Sequence, residues 1–584
     1  MVDGATGQVA RLVSPALLRY LRYLPPRMLI GKARHSLDAR LRVPRAVTAA
    51  PPPHYDWCAA FAHPELADFA AVFRVYGERF ADTCDQLHQG RFVSNRVSYP
   101  LDRGAIWDSD TIPAKHLRWR FDLAYFFAAI PLIDADEDRG LQTVASMLRD
   151  LDTRLLEDSA GIRKLQWSPI AVAVRIMSLT TALSLCSTAA LTRQSRAVHT
   201  IGQHLWRCTE MLRFMVERHL GFNHAAFTES GLAVGLYLQG RRDEAARRLE
   251  DAVLVLEDST LPDGMWAERS PTYHIHMLVL GDALQAMLDG KSELYRRLGR
   301  LTSRMREALA AVVHPDGEIA MFNDAAIADA PAPAAVGWKE PPSPSSIALL
   351  DAGYGRLSAA GTVVIMDAGA MGADAGIAHG HADFLSIEVS VAKHRFIVDP
   401  GVASLTNDGD RYWTRSAASH NGPTLRGCEP AEFIGAWKVG RRARAWFDPV
   451  DRDRSDVMGL RGVCDGYRAW GIGVSRSVLL DVNGLLRIED RWSGAPTQAR
   501  ILHFLISGDW QTQNTCDERV EFVHNDGSTV ILSVRSGRIT DLRPSRHFLD
   551  GSMSAMPATS LSIEPHDDYV MTVLEAQMSE QRIS

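Results

Sequence analysis

The sequence has few of the features that mark disulfide-rich, membrane-spanning or nucleic-acid-binding proteins. Its seven cysteines are scattered without close pairs, which argues against a disulfide framework and against a thiolate zinc site. Arginines interrupt the apolar stretches, as in residues 17–40, so no membrane span is expected. The net charge is −6, from 64 basic and 70 acidic residues. This balance gives no overall sign of nucleic-acid binding, although an acidic polymer would need a local basic patch.

A recognisable leader is also missing. The opening Met-Val-Asp-Gly does not lead through a basic region into an apolar run, so no signal peptide is read. We therefore expect a cytoplasmic protein by default, with the periplasm as the alternative. The length of 584 residues allows two or three domains, each with its own core. The sequence does not reveal the oligomeric state.

The pattern of the chain changes past its middle. Residues 1–68 are predicted to be a partly helical extension, and residues 69–327 a helical domain rich in Leu, Ala and Arg. Residues 328–346 are crowded with Pro and Ala and are the best linker candidate. Residues 347–584 contain short alternating segments. Helices are predicted at residues 141–155, 167–185, 199–216, 225–238 and 242–256; their short connectors indicate helix pairs packed in a layer or ring.

The second half of the chain has the pattern of an antiparallel sandwich. Strands are predicted at residues 362–366, 384–391, 478–480, 485–490, 499–506 and 530–534. Asn483-Gly484 between two apolar runs predicts a hairpin. The fold class is therefore a multidomain α+β protein, helical in its N-terminal half and a β-sandwich in its C-terminal half.

Residues 379–383, His-Gly-His-Ala-Asp, carry the densest set of titratable side chains. The alternation of residues 385–391, extended backwards, places His379, His381 and Asp383 on the apolar face of one strand, unless Gly380 bends it. Burying three such groups is costly without a partner, a metal or a ligand. The alternative is a hydrogen-bonded polar patch at the end of a sheet, but clustered ionisable groups favour a functional site.

Two polar islands interrupt the helical half. The first, Asn223-His224, stands just before an apolar helix, where both side chains can donate hydrogen bonds to an anion. The alternative is that Asn223 caps the helix and His224 is a surface residue.

The second island, residues 263–274, contains a helix-start signature, Ser270-Pro271, which places Tyr273 in the first helical turn. Trp266 offers a flat surface on which a sugar ring could stack. The alternative is that both aromatic rings belong to the core.

These motifs, taken in order, resemble those of heparinase II/III-like polysaccharide lyases. The resemblance covers roughly residues 160–445 and is carried by Asn223-His224, by the islands already quoted and by later segments. The later segments are Asp-Pro-Gly at 399–401, Arg-Ser-Ala-Ala-Ser-His-Asn at 415–421 and Arg-Arg-Ala at 441–443. Each motif is weak alone, and the ordered set is strong. The family has an incomplete α/α toroid followed by an antiparallel β-sandwich.

The resemblance implies β-elimination on a uronate-containing glycan. Asn223 and His224 resemble the family positions that neutralise the uronate carboxylate, which stabilises the enolate-like transition state. Tyr273 resembles the acid, which for some substrates is also the base, and His379 resembles the second base. Glu268 and Arg269 lie in the motif and are expected, with Trp266, to contact the acidic polysaccharide.

The resemblance also implies a structural zinc ion. His381, Asp399 and His420 resemble the residues that hold it, and two imidazoles with a carboxylate are a sensible zinc set. A metal-free hydrogen-bonded cluster is the alternative. Arg415, and with it Tyr412, is expected to bind the acidic polymer, because arginine suits carboxylate or sulfate groups. For Arg415 the alternative is a salt bridge to a neighbouring Asp.

The sequence departs from the family pattern on the helix after His224. Many members carry Glu or Gln three or four residues later, where this chain has Phe227 and Thr228, and Glu229 follows. Two other functions therefore stay open: a non-catalytic glycan-binding or polysaccharide-assembly protein on the same fold, and a glycoside hydrolase that uses carboxylates such as Glu268 and Asp383.

Overall fold

The computed structural model describes residues 14–101, 107, 116–157, 165–448, 456–495, 497–550 and 554–579. Within these residues, the helices are α1 (Pro15–Leu21), α2 (Pro26–Leu41), α3 (Val43–Ala46), α4 (Trp57–Phe61), α5 (Pro64–Phe73), α6 (Cys84–His88), α7 (Leu117–Tyr125), α8 (Ala129–Ala135), α9 (Glu137–Glu157), α10 (Pro169–Ser184), α11 (Thr188–Arg193), α12 (Ser195–Leu212), α13 (Phe222–Leu238), α14 (Arg242–Asp258), α15 (Pro271–Ala286), α16 (Glu293–Ala308) and α17 (Gly409–Arg415).

The strands follow mainly in the second half. They are β1 (Arg91–Ser94), β2 (Val97–Pro100), β3 (Ser345–Leu349), β4 (Tyr354–Ala359), β5 (Thr362–Asp367), β6 (Ile387–Val391), β7 (His394–Ile397), β8 (Pro423–Leu425), β9 (Phe433–Ile434), β10 (Lys438–Val439), β11 (Ala445–Phe447), β12 (Val457–Cys464), β13 (Gly473–Asp481), β14 (Leu486–Ser493), β15 (Arg500–Ser507), β16 (Trp510–Cys516), β17 (Arg519–His524), β18 (Thr529–Arg535), β19 (Gly537–His547), β20 (Met556–Pro565) and β21 (Tyr569–Gln577).

The helical half is built around α10 and α13, which are buried along most of their length. Pro169 supplies the first residue of α10, where its missing N–H costs no hydrogen bond. The two helices approach closely at Gly231, where an added Cβ would lie 2.6 Å from the Cα of Ala173. None of the helices that the structure describes is long and apolar enough to cross a bilayer.

The second half is an antiparallel sandwich of two sheets. Among the described strands, one sheet has the order β11-β12-β13-β14-β21-β18-β17-β16. The other has the order β19-β20-β15-β7-β6-β5-β4-β3, with β8 also paired to β15. The hairpin predicted at Asn483-Gly484 joins β13 to β14, and Gly484 has the positive φ of 88° that this turn requires. The predicted fold class is confirmed.

The predicted strand through residues 379–391 is wrong in its first part. Strand β6 begins only at Ile387, because Leu385 has a left-handed φ of 59° and His379 ends a 3-10 turn, Ile377–His379. The strand is also buried on both faces rather than half-buried. The predicted linker contains a 3-10 turn at Pro333–Val336 and the first residues of β3.

The two halves of the chain meet through a polar contact as well as an apolar one. Tyr354, Val363 and Ile365 of the sandwich belong to the hydrophobic core of the helical half. Glu388 of β6 accepts hydrogen bonds from the backbone N–H of Met321 and from Nε2 of His314, at 2.5 and 3.1 Å. The segment that follows α16 is therefore fixed onto the face of the sandwich.

Candidate active site

The site lies where the N-terminal ends of helices meet loops of the sandwich. Tyr273 is in the first turn of α15, where Ser270 caps the helix by accepting from the Tyr273 N–H. His379 comes from the sandwich side, at the end of its 3-10 turn. The centroids of the two rings are 4.0 Å apart, and the ring planes are tilted by 32°. The structure thus brings together the predicted acid and the predicted second base.

Glu268 connects these two residues to the first polar island. Its carboxylate accepts from the backbone N–H of Asn223 at 3.4 Å and lies 3.7 Å from Nε2 of His379. It also contributes to the charge environment of His224. The residues predicted as catalytic therefore gather around one buried carboxylate.

His224 stands at the more open side of this group. Its Nδ1 donates to Glu217 at 2.7 Å, and 38% of its side chain is exposed. Burial lowers the pKa of His224, but the hydrogen bond to Glu217 and the charges of Glu217 and Glu268 together outweigh it, so that the pKa is raised. A raised pKa favours the protonated imidazole, and a cation beside Asn223 suits the neutralisation of a carboxylate.

Sequence reasoning missed the residue that orients the histidines, Asp324. This buried carboxylate accepts from Nδ1 of His379 and from Nε2 of His381, both at 2.9 Å. It also accepts two hydrogen bonds from the guanidinium of Arg411. Because Nδ1 of His379 is turned to Asp324, its Nε2 is left as the basic nitrogen.

The surroundings of Asp324 shift the pKa values of its neighbours. Burial alone would raise the pKa of Asp324, but Arg411 and the two histidines hold it well below its usual range. Burial, with the charges of Asp324 and Glu268, raises the pKa of Tyr273 well above that of free tyrosine. Tyr273 is therefore protonated at neutral pH and able to donate a proton.

His381 and His420 each have one buried ring nitrogen without a partner. Nε2 of His381 is bound to Asp324 and Nδ1 of His420 to Asp399, which leaves Nδ1 of His381 and Nε2 of His420. The ring centroids are 5.5 Å apart. Burial lowers the pKa of His381 to about 3, so its imidazole is neutral. Two orphaned lone pairs at such a spacing suit a soft divalent cation.

Asp399 is placed differently from the prediction. Its Oδ1 accepts from the Gly401 N–H at 3.0 Å and its Oδ2 from His420 at 2.8 Å. Asp399 thus contacts His420 directly and orients its ring. A closer set of metal-ligating atoms, all within 4.8 Å, is formed elsewhere in the described part of the chain by His394, His524 and Asp526.

Two residues predicted to bind substrate, Trp266 and Arg269, make all their polar contacts inside the protein. Trp266 is completely buried and donates its indole N–H to Glu268, so no face is left for a sugar ring. Arg269 donates to the backbone oxygens of Asp351, Ala370 and Gly372 and so fastens the helical half to the sandwich. These two predicted substrate contacts are not supported by the geometry.

Arg415 is likewise a structural residue, and neither of its predicted roles is found. Its guanidinium is buried and donates to the carbonyl oxygens of Gly380 and Ala436, at 2.8 to 3.0 Å. It therefore holds the loop that carries His379. Tyr412, in contrast, is 54% exposed and remains available at the rim.

The carboxylates proposed for a hydrolase are not placed as a pair. Glu268 belongs to the group described above, whereas Asp383 is buried and accepts from the backbone N–H of Asn323 at 2.8 Å. Asp383 thus holds the loop of Asp324 in place through this hydrogen bond.

The chain is similar to known proteins in one domain and in its fold. Residues 341–581 match the family described as heparinase II/III-like, C-terminal. This match covers 241 of the 584 residues and falls on the β-sandwich half of the chain. A search of curated proteins finds no match.

Solved structures extend the similarity into the helical half of the chain. It is similar to heparinase III, with a TM-score of 0.65 and 15% identity over 96% of this chain and 93% of the other. It is also similar to the heparan sulfate lyase HepC of Pedobacter heparinus, with a TM-score of 0.53 and 17% identity over 86% and 83% of the two chains. At this identity the likeness establishes the toroid-and-sandwich fold and leaves the activity to be argued from the site.

Proposed function

We propose that this protein is a polysaccharide lyase that cleaves a uronate-containing glycan by β-elimination. The observation that carries the proposal is the contact between Tyr273 and His379, 4.0 Å apart, beside Asn223 and His224. Two groups that can hold or give a proton thus lie next to two donors for a carboxylate. The solved relatives named for heparan sulfate support an acidic polysaccharide as the substrate class.

The side chains divide the reaction between them. Asn223 and His224 bind the uronate carboxylate and stabilise the charge that develops when the C5 proton leaves. Nε2 of His379 takes that proton. The C5–H electron pair forms the C4–C5 double bond, and the C4–O bond breaks. The phenol of Tyr273 protonates the departing oxygen, and no water is consumed.

We also propose a structural zinc ion at His381 and His420, with Asp399 as the partner that orients His420. The support is the pair of buried, unpartnered nitrogens, Nδ1 of His381 and Nε2 of His420. A bound zinc ion would supply a fixed cross-link between the loops that carry these two histidines. His379 lies two residues before His381, so the ion would stabilise the position of the base.

The experiment is an assay of the purified protein on a panel of uronate polymers, followed by the ultraviolet absorbance of unsaturated uronate. Tyr273→Phe and His379→Ala are expected to lower kcat by about 10²–10⁴-fold while the melting temperature is kept. His199→Ala, on an exposed helix face, and Tyr569→Phe, on β21, are the matched controls. Wild-type rates in both site variants would refute the assignment.

The other outcomes separate the remaining functions. New reducing ends without absorbance would replace the lyase by a glycoside hydrolase. Binding to a polymer without turnover, unaffected by Tyr273→Phe, would replace it by a glycan-binding or assembly protein.

A further inference from the structure

The N-terminal helices α1 and α2 expose an unusual amount of apolar surface. Six of the fifteen large hydrophobic side chains that are exposed in the described residues lie between positions 18 and 41. They are Leu18, Leu21, Leu29, Ile30, Leu37 and Leu41. Ile30, Leu41 and Leu37 are 70%, 61% and 57% exposed. Single exposed leucines are ordinary, but a concentration of them marks an interaction surface.

The exposed large apolar residues of α2 share one side of the helix, away from the protein, with the exposed Arg40 among them. At ~100° per residue, the side chains of Leu29, Ile30, Leu37 and Leu41 fall within about 120° of the helix circumference. The opposite side packs on the helical half: Gly31 lies against His219, and the rings of His35 and His219 are 4.8 Å apart. The helix is thus anchored by one face and presents the apolar stripe with the other.

The same segment is strongly basic, although the whole chain is acidic. Residues 14–46 contain eight arginines and lysines against one carboxylate, Asp38. At the same helical spacing, Arg27 and Arg34 border the stripe on one side and Lys32 borders it on the other. Of the eight, Arg19 is paired with Glu432 of the sandwich, and the exposed Arg34 and Arg42 share Asp38 of the same segment. An apolar stripe bordered by cations is the pattern of a helix that lies in a membrane interface.

We propose that the exposed face of α1 and α2 binds the surface of an anionic lipid bilayer. A lipid bilayer suits both the apolar and the basic residues of this face. Its acyl chains cover the leucines and the isoleucine, and its acidic headgroups pair with the cations. A second copy of the chain would bring the same cationic face against itself. An acidic glycan would meet the charges but has no hydrocarbon with which to cover six apolar side chains.

This surface is firmly connected to the rest of the molecule. Arg19 of α1 binds Glu432 of the sandwich at 2.6 Å, and α2 packs on His219 of the helical half. His219 lies four residues before Asn223, at the entrance of the candidate site. A bilayer bound here would therefore hold the cleft at a fixed orientation near the membrane. The proposal does not depend on the lyase activity.

The test is co-flotation of the full chain with vesicles of phosphatidylcholine, alone or mixed with phosphatidylglycerol. The wild type is expected to float with the mixed vesicles and not with the neutral ones, and rising salt is expected to weaken binding. The triple variant Ile30→Ser, Leu37→Ser, Leu41→Ser is expected to bind at least about tenfold more weakly. The variant Arg27→Gln, Arg34→Gln is expected to lose the preference for anionic vesicles.

The matched control replaces exposed apolar residues elsewhere, in Leu254→Ser, Leu350→Ser, Val482→Ser. This control is expected to float as the wild type does. Equal binding of the wild type and the Ile30, Leu37, Leu41 variant would overturn the proposal, as would the absence of flotation. Concentration-dependent dimers that the serine variant abolishes, without flotation, would assign the face to a second copy.

Discussion

The two walls of the candidate cleft differ in the burial and hydrogen bonding of their polar side chains. The helical wall offers Asn223, His224 and Tyr273, and two of these, His224 and Tyr273, are only partly buried. The sandwich wall offers His379, which is buried and held, like Arg411 and Arg415 of the same half, by hydrogen bonds to other parts of the protein. The side chains of the helical wall are therefore free to contact a substrate. Those of the sandwich wall already make hydrogen bonds that hold their own loops.

The difference assigns separate tasks to the two walls. Side chains that must follow a flexible sugar need unoccupied donors, whereas a base needs a fixed position and a fixed tautomer. Asp324 connects the two walls. It lies on the segment that follows α16 and accepts hydrogen bonds from the histidines of the sandwich.

The largest expected effect comes from breaking this junction with Asp324→Asn. The Asn side chain has one acceptor oxygen in place of two. Its NH₂ group would face Arg411 or the histidines, which are hydrogen-bond donors themselves. We expect kcat to fall by about 10²–10⁴-fold and the free energy of unfolding to fall by about 3–5 kcal/mol, as for a broken buried ion pair. Turnover and urea denaturation measure the two losses.

The control for this variant is Asp410→Asn, an exposed carboxylate whose partner is Arg546. It is expected to keep the stability of the wild type within about 0.5 kcal/mol. If Asp324→Asn kept both the activity and the stability, the joining role of Asp324 would be wrong.

A smaller effect is expected from removing metal from the sandwich wall. If zinc is held by His381 and His420, chelation should lower the free energy of unfolding by about 3 kcal/mol, the amount that a ligand at a hundred times its Kd provides. Elemental analysis should find the ion in the wild type and not in His420→Ala. Loss of the ion in His394→Ala instead would move the metal to the group of His394, His524 and Asp526.

The smallest effect on activity is expected from Arg415, because its hydrogen bonds hold a loop and do not bind the substrate. Arg415→Met removes the donors of three hydrogen bonds to Gly380 and Ala436 and should cost about 3 kcal/mol of stability, at about 1 kcal/mol per hydrogen bond. Because Arg415 does not face the cleft, KM is expected to stay unchanged. A raised KM with unchanged stability would restore the predicted role in binding the polymer. Arg519→Met, on an exposed position of β17, is the control.

The fold could be predicted from the sequence because each half has its own periodicity. Strong helical spacing gave α13 and α14 to within three residues at either end, since their apolar positions and polar breaks are local signals. The strand through His379 failed for a local reason too. Alternation cannot show that Leu385 turns left-handed or that the segment before it folds into a 3-10 turn.

The site could be predicted only in part, because its organisation depends on distant contacts. Motifs placed Tyr273 and His379, and the structure brings the two rings together. Asp324 gave no signal beyond its being a charged residue in the mainly apolar stretch 319–327, since its partners lie far along the chain. Trp266 and Arg415 were misjudged because the chemistry that suits sugar binding equally suits burial with satisfied polar tips.

The position of Asp324 in the sequence also bears on how the candidate site is assembled. The loop that carries it is synthesised before the sandwich that it orients, so a growing or half-folded chain contains Tyr273 but no oriented imidazole. The contact of Tyr273 with an oriented His379 therefore requires both the sandwich residues and the docked loop of Asp324.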